Sequence, residues 1–238
     1  MAIPLIIGHR GAKGIAPENT LKAFKVGLDF ADCVECDVQL TKDKKIVVIH
    51  DGNIKRTSNG EGEVSQMTFE EIRNFNFGDD QKISLLSEVF DLVKDKNKKI
   101  IIDIKGDSFL DAKDISVAVG NFLKENDKNE IAFVSSIWEE AILEIKIIKP
   151  QTKTFIILDM ELTAEDILNK LKKSKADGIS IVYTFVDKKI ITALHSQNYL
   201  VNVWPVNEPE DILNVSFLGV DGVITDYPET ALKYLKKE

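Results

Sequence analysis

The chain has 238 residues, 44% of them hydrophobic, with a formal net charge of −8 and a pI near 5.1. That length and apolar share suffice for a full core, while the acidic balance excludes the basic stripe that nucleic-acid binding needs. No stretch approaches the roughly 20 apolar residues of a membrane span, and the opening MAIPLIIGHR lacks a basic n-region and a small-residue cleavage site, so a mature cytoplasmic chain without a membrane span is expected.

Along the chain, short β-branched runs alternate with amphipathic stretches, the α/β pattern of a parallel sheet with crossover helices. Strands are predicted over 3–8, 33–40, 99–104, 131–135, 154–158, 177–181, 199–204 and 221–225. Helices are predicted over 19–31, 86–96, 112–126, 138–149, 163–174, 187–197, 208–216 and 228–236. Start signals support several of them. Ser136 with Glu139 reads as a capping box, Thr163 precedes an acidic first turn, and Pro209 sits where a missing N–H does no harm. Eight strands and eight helices are the count of a (β/α)8 TIM barrel, here one domain over 1–238. An open doubly wound sheet is the rival, because periodicity cannot show closure.

A ninth strand-like run, 45–50, follows the second strand after only a few residues, so the two form an antiparallel β-hairpin extension. The expected register sets Val38 by Val47 and Cys36 by Ile49, with His50 near Glu35 at the rim. Residues 51–83 then read as a small insertion over the barrel mouth. Cys33 and Cys36 form C-x-x-C, yet in a strand they face opposite sides with Cα atoms roughly 10 Å apart, too far for a disulfide. Two packed thiols are expected. Gly60 and Gly62 form a turn and not a nucleotide loop, since no strand precedes them.

In such a barrel the C-terminal strand ends carry the site. Those ends hold His9-Arg10, Glu35-x-Asp37, Asp103-x-Lys105, Ser135, Asp159, Tyr183, Trp204 and Asp226. Alternation puts Glu35 and Asp37 on one face, and Asp103 and Lys105 likewise. Three converging carboxylates repel unless they share a cation, and an all-carboxylate set suits one hard divalent ion, Mg²⁺ or Ca²⁺. His9 and His50, two of only three histidines, suit acid/base work near neutral pH. Arg10, one of three arginines, offers a fork matched to phosphate oxygens, and Lys105 adds a point charge. Trp204 suits an aromatic wall for a polyol. His195, near a helix end, reads as structural, and Asp226 before Pro228 reads equally as a helix-start device.

The stretches GHRGAKGIAPENTLKAF, VECDVQLTKDKKIVVIHD, IKRTSNGEGEVSQMTFEEI, IIDIK, VNVWPVN and GVITDYP cover the whole chain. In them the sequence resembles the glycerophosphodiester phosphodiesterases, related more distantly to phosphatidylinositol-specific phospholipase C. The resemblance implies His9 and His50 as general acid and base, Arg10 and Lys105 as phosphate ligands, and Glu35 and Asp37 as metal ligands. Asp103 stands where the family usually has Glu, one methylene shorter. Glu18 and Asn19 match the family's PENT segment as site-supporting residues, and SLLSE at 84–88 replaces its PTLEE. The implied activity is metal-dependent hydrolysis of a small glycerophosphodiester to sn-glycerol 3-phosphate and an alcohol. The alternatives are a lysophospholipase D, for which Phe69, Ile72, Phe75 and Phe77 could supply an apolar surface although their helical spacing favours packing of the insertion onto the barrel, and a non-catalytic phosphodiester-binding module.

Overall fold

The computed structural model describes residues 3–236. Eight parallel strands close on themselves: β1 (Leu5–Gly8), β2 (Cys33–Leu40), β5 (Lys99–Ile104), β6 (Ala132–Ser136), β7 (Lys153–Leu158), β8 (Gly178–Val182), β9 (Leu200–Trp204) and β10 (Gly222–Thr225). Closure is made by β1, which pairs Leu5 with Gly222 on one side and Ile7 with Cys33 on the other. The open-sheet rival is excluded by those two ladders. Between the strands run α1 (Leu21–Phe30), α3 (Leu86–Asp95), α4 (Phe109–Asn126), α5 (Glu139–Ile148), α6 (Ala164–Ser174), α7 (Lys188–His195), α8 (Pro209–Leu218) and, after β10, α9 (Pro228–Leu235). Among the described residues, no helix is long and apolar enough to cross a membrane.

The strands read as near-continuous apolar runs because both faces are covered. In β5, Ile100, Ile102 and Ile104 point outward into the layer beneath the helices, while Ile101 points into the barrel. The same alternation puts Cys33 inside the barrel and Cys36 in the outer layer, both free and buried. Helix α3 shows how the outer layer forms. Leu86, Val89, Phe90 and Val93 recur at helical spacing and all are buried, each contributing about 1.5–3 kcal/mol by leaving water.

Two local expectations need correction. The hairpin of β2 with β3 (Ile46–Val48) pairs Val38 with Val48 and Leu40 with Ile46, one residue off the expected register. Its loop holds one more residue than the expected pairing allowed: Lys44 adopts the left-handed conformation (φ 60°) just after a tight turn closed from its N–H to the Thr41 carbonyl. The Ser136–Glu139 capping box is also absent. Ser136 ends β6, and its hydroxyl donates to the Ile104 carbonyl at 2.8 Å while accepting from Trp138 N at 3.1 Å, so α5 begins only after Trp138. Thr163 does cap α6, accepting from Asp166 N.

The insertion holds α2 (Phe69–Arg73) under a Thr68–Glu71 capping box, and strand β4 (Ser84–Leu85) joins it to β3. It has its own core of Val47, Ile49, Ile54, Val64, Phe69, Ile72, Phe77 and Ile83. Phe69, Ile72 and Phe77 are therefore buried within it and Phe75 packs against them, so these four do not form an apolar face at the mouth.

Candidate active site

The turn after β1 decides where His9 and Arg10 point. Arg10 itself is left-handed (φ 48°) and Gly11 follows at φ 85°. A Cβ on Gly11 would lie 2.6 Å from the Ala23 carbonyl carbon and 2.7 Å from Phe24 N, so the turn lies directly on the start of α1. Backbone bonds lock it there: His9 N donates to Thr225 O, Gly11 N to Glu35 O and Asn19 N to Arg10 O.

Around a cavity of about 460 Å³ at the C-terminal end of the barrel stand His9, Arg10, Glu35, Asp37, His50, Asp103, Lys105 and Trp204. Glu35, Asp37 and Asp103 are buried, with ligand oxygens all within 4.8 Å of one another. Lys105 reaches Asp37 Oδ1 at 2.9 Å and also contacts Asp103 Oδ2. Arg10 Nε lies 3.1 Å from Asp37 Oδ2, a charge contact and not an aligned hydrogen bond. Asn19 Nδ2 donates to Asp37 Oδ2 while its Oδ1 accepts from Asp37 N, and Arg10 N donates to Glu35 Oε2 at 2.8 Å.

The electrostatics follow from this crowding. Burial pushes the Glu35 carboxyl well above its ordinary range, reinforced by Asp37 and Asp103. Burial likewise pushes Asp103 up to about 6. Asp37 goes the other way, because Lys105, Arg10 and His50 outweigh its burial. Burial opposes the charge on Lys105, but Asp103, Asp37 and Glu35 raise its pKa above the ordinary value. Three carboxylates against two fixed cations leave an acidic excess, and Asp103 Oδ1 is buried with no hydrogen-bond partner among the described residues. An all-oxygen set with a spare buried lone pair fits a hard divalent cation.

Each catalytic-type histidine is tied through Nδ1 to a carboxylate. His9 Nδ1 donates to Asp226 Oδ1 at 2.6 Å, and His50 Nδ1 donates to Asp51 Oδ1 at 2.6 Å. A carboxylate only accepts, so both rings carry the Nδ1 proton, which leaves Nε2 with a lone pair on a neutral ring and a proton on a cationic one. Burial lowers the pKa of both rings below the ordinary 6.5, despite the pull of these carboxylates. Asp226 is held by Asn207, whose Nδ2 donates to Oδ2 at 2.9 Å and whose Oδ1 accepts from Asp226 N. On the other side Arg56 bridges two acids. It donates to both Asp51 oxygens and both Glu18 oxygens, and Glu18 Oε1 in turn accepts from Arg10 NH1 at 2.7 Å. Arg56 holds Asp51 down to about 2, with the His50 bond adding to it.

Of the residues singled out from the sequence, His9, Arg10, Glu35, Asp37, His50, Asp103, Lys105 and Trp204 line this mouth. Glu18 and Asn19 stand behind Arg10 and Asp37. Trp204 donates from Nε1 to Ser180 O at 3.0 Å and lines the cavity. Ser135 and Asp159 line it too, whereas the Tyr183 hydroxyl turns to Asp211. His195 is bonded to Asp221 near the end of α7. The sequence leaves Asp226 open between a strand-end site residue and a helix-start device, and gives no role to the other orienting residues, Asp51, Asn207 and Arg56. The rarity of arginine was the one signal for Arg56.

Residues 9–230 match the glycerophosphoryl diester phosphodiesterase family. The chain belongs to that family. It is 33% identical over 241 residues to the glycerophosphodiester phosphodiesterase of Caldanaerobacter subterraneus subsp. tengcongensis, covering 98% of each. It is 29% identical to the solved glycerophosphodiester phosphodiesterase of Thermotoga maritima, with a TM-score of 0.82, covering 98% of this chain and 99% of that one. An Oleispira antarctica phosphodiesterase, solved in complex with the product sn-glycerol-3-phosphate, shares the fold at a TM-score of 0.91 and 22% identity, covering 99% and 98%. Membership makes this glycerophosphodiester phosphodiesterase homologue an enzyme, and its barrel carries the acidic group, the two histidines and the two cations at one mouth.

Proposed function

We propose that the chain hydrolyses small glycerophosphodiesters to sn-glycerol 3-phosphate and an alcohol, using His9 and His50 as general acid and base beside one divalent cation. The observation that carries this reading is the pair of imidazoles, each oriented by its own carboxylate, beside buried Glu35, Asp37 and Asp103. The product bound to the Oleispira relative supports the product assignment.

Glu35, Asp37 and Asp103 would hold the cation, which supplies Lewis-acid polarisation of a phosphate oxygen. Arg10 and Lys105 bind the other non-bridging oxygen and neutralise charge as the phosphorus becomes five-coordinate. Charge balance favours this set. A divalent ion and a phosphodiester monoanion added to the three carboxylates and two cations bring the site to neutrality. One imidazole takes the nucleophile's proton at Nε2, and the P–O bond to the alcohol breaks as the other histidine delivers a proton to the leaving oxygen. Asp226 and Asp51 stabilise whichever ring is cationic. Water and the glycerol 2-hydroxyl are both nucleophiles this geometry admits, and turnover of a substrate lacking the 2-hydroxyl eliminates the internal route.

A panel of glycerophosphodiesters assayed with chelator, Mg²⁺ and Ca²⁺ tests the proposal. Activity lost in chelator and restored by one of the ions is expected, and chelator-insensitive turnover would remove the cation. A second reading, lysophospholipase D, is favoured by Ile137, which lines the cavity and is 57% exposed. Faster hydrolysis of lysophosphatidylcholine than of glycerophosphocholine would establish it.

A further inference from the structure

Across the barrel from the acidic group, one polar atom has nothing to bind. Ser180 on β8 is 2% exposed, lines the cavity, and its Oγ has no hydrogen-bond partner among the described residues. The buried Asn202 stands beside it in register on β9. Ile157 pairs with Ser180 in register on β7, and the Trp204 indole is anchored to the Ser180 carbonyl. Ile224 lines the same cavity. Strand order around the barrel runs β1, β2, β5, β6, β7, β8, β9, β10, so β8 stands opposite β2, which carries Glu35 and Asp37. A buried hydroxyl without a partner is unfavourable, and such groups in folded proteins are generally satisfied by protein, water or ligand.

We propose that Ser180 Oγ, with the Trp204 face beside it, is the subsite for a hydroxyl of the glycerol moiety. The proposal rests on the hydrolytic reading above and adds a specificity-determining residue to it. The phosphate is held by charge on the β1, β2 and β5 side. Glycerol then extends across the cavity, laying its methylenes on indole and isoleucine and placing a hydroxyl on the unpartnered Ser180 Oγ. A hydroxyl both donates and accepts, so Ser180 pairs with an alcohol in either sense. An alkyl group at the same place leaves the serine unsatisfied, which is how a buried polar atom discriminates.

The test uses the full-length enzyme with its divalent ion and two inhibitors of equal charge, sn-glycerol 3-phosphate and n-propyl phosphate, against glycerophosphocholine hydrolysis. Wild type should bind the glycerol compound about 5–10-fold more tightly, the worth of one net hydrogen bond. In Ser180→Ala that preference should fall to about onefold to twofold, while propyl phosphate binding stays within about twofold. Ser180→Cys, similar in shape and a weak donor, should lose the preference too, and serves if the alanine variant does not fold. A preference absent in wild type, or intact in the variants, overturns the subsite. Hydrolysis by wild type is read in the same assay, so its absence marks failure of the functional reading itself.

Discussion

Replacing Asp226 by Asn is the sharpest perturbation this site offers, because it changes one atom and its outcome is dictated by a neighbour. Asn207 Nδ2 donates to Asp226 Oδ2 at 2.9 Å, so in Asp226→Asn the amide oxygen must stay on that side. The new NH₂ then faces His9 Nδ1, at the position where Oδ1 now lies 2.6 Å away. Two donors cannot face one another, so the ring must move its proton to Nε2, and it can then neither take up another proton there nor become the imidazolium that a carboxylate at Nδ1 stabilises. Turning the amide round sets two NH₂ groups against each other at Asn207. The lost charge-assisted bond is worth about 1.5–3 kcal/mol, or about 10–150-fold. Loss of a reactive tautomer has reached about 10⁴-fold in the Ser-His-Asp triad. We therefore expect kcat to fall by about 10²–10⁴-fold in steady-state assays with glycerophosphocholine, with KM within about threefold. Nitrogen NMR of His9 should show the proton moved to Nε2. Asp226→Ala, which imposes no wrong tautomer, should lose no more than the asparagine variant. An asparagine variant retaining a third of wild-type kcat would refute the orienting role of Asp226.

Arg56 is 47% exposed on its side chain, so its ion pairs contribute little stability, about 1 kcal/mol at most, yet it connects Asp51 with Glu18. Arg56→Ala should lower kcat about tenfold with a melting shift of only a few degrees, and Arg56→Lys should recover little of it, since an ammonium cannot span both carboxylates. An unchanged kcat in the alanine variant would sink that role. His9 gives a pH signature. Its folded pKa lies below the ordinary 6.5, so the unfolded chain takes up the proton first, and stability present above about pH 6.5 is lost as pH falls toward the folded value. The melting-temperature gap between wild type and His9→Gln should shift against wild type between pH 7.5 and about 5.5, and a constant gap would contradict the buried neutral ring. Gly11→Ala should destabilise by at least about 2 kcal/mol in urea unfolding, from strain at φ 85° plus contact with the Ala23 and Phe24 backbone. A loss below about 0.5 kcal/mol would show that the turn moves freely.

The barrel was legible because its strands carry a local signal. KIIIDI and CVECDVQL are apolar on the helix side and place acids only at inward positions near the C-terminal end, so one pattern gave strand, face and site together. The hairpin register was not legible, since it turns on a lysine in a left-handed conformation, where glycine or asparagine would have announced it. Ser136 looked like a cap because its neighbours in sequence allow one, but the Ile104 carbonyl, 32 positions away, claims its hydroxyl. The orienting shell was the least visible. His9 and Asp226 are 217 positions apart, and Arg56 reaches Glu18 across 38, distances over which no periodicity carries information. The helical spacing of Phe69, Ile72, Phe75 and Phe77 favours packing over exposure, which agrees with their burial, but that they pack into a separate small core and not onto the barrel is visible only in three dimensions.

The closing ladder between β1 and β10 also ties the surroundings of His9 to closure of the barrel. The strand that His9 follows pairs with β10, and the carboxylate partner of His9, Asp226, directly follows β10. Glu35, Asp37, Asp103 and Lys105 lie on or directly after the paired neighbours β2 and β5, away from that seam. Opening the barrel at the β1–β10 seam would therefore part His9 from Asp226 while leaving the acidic group together.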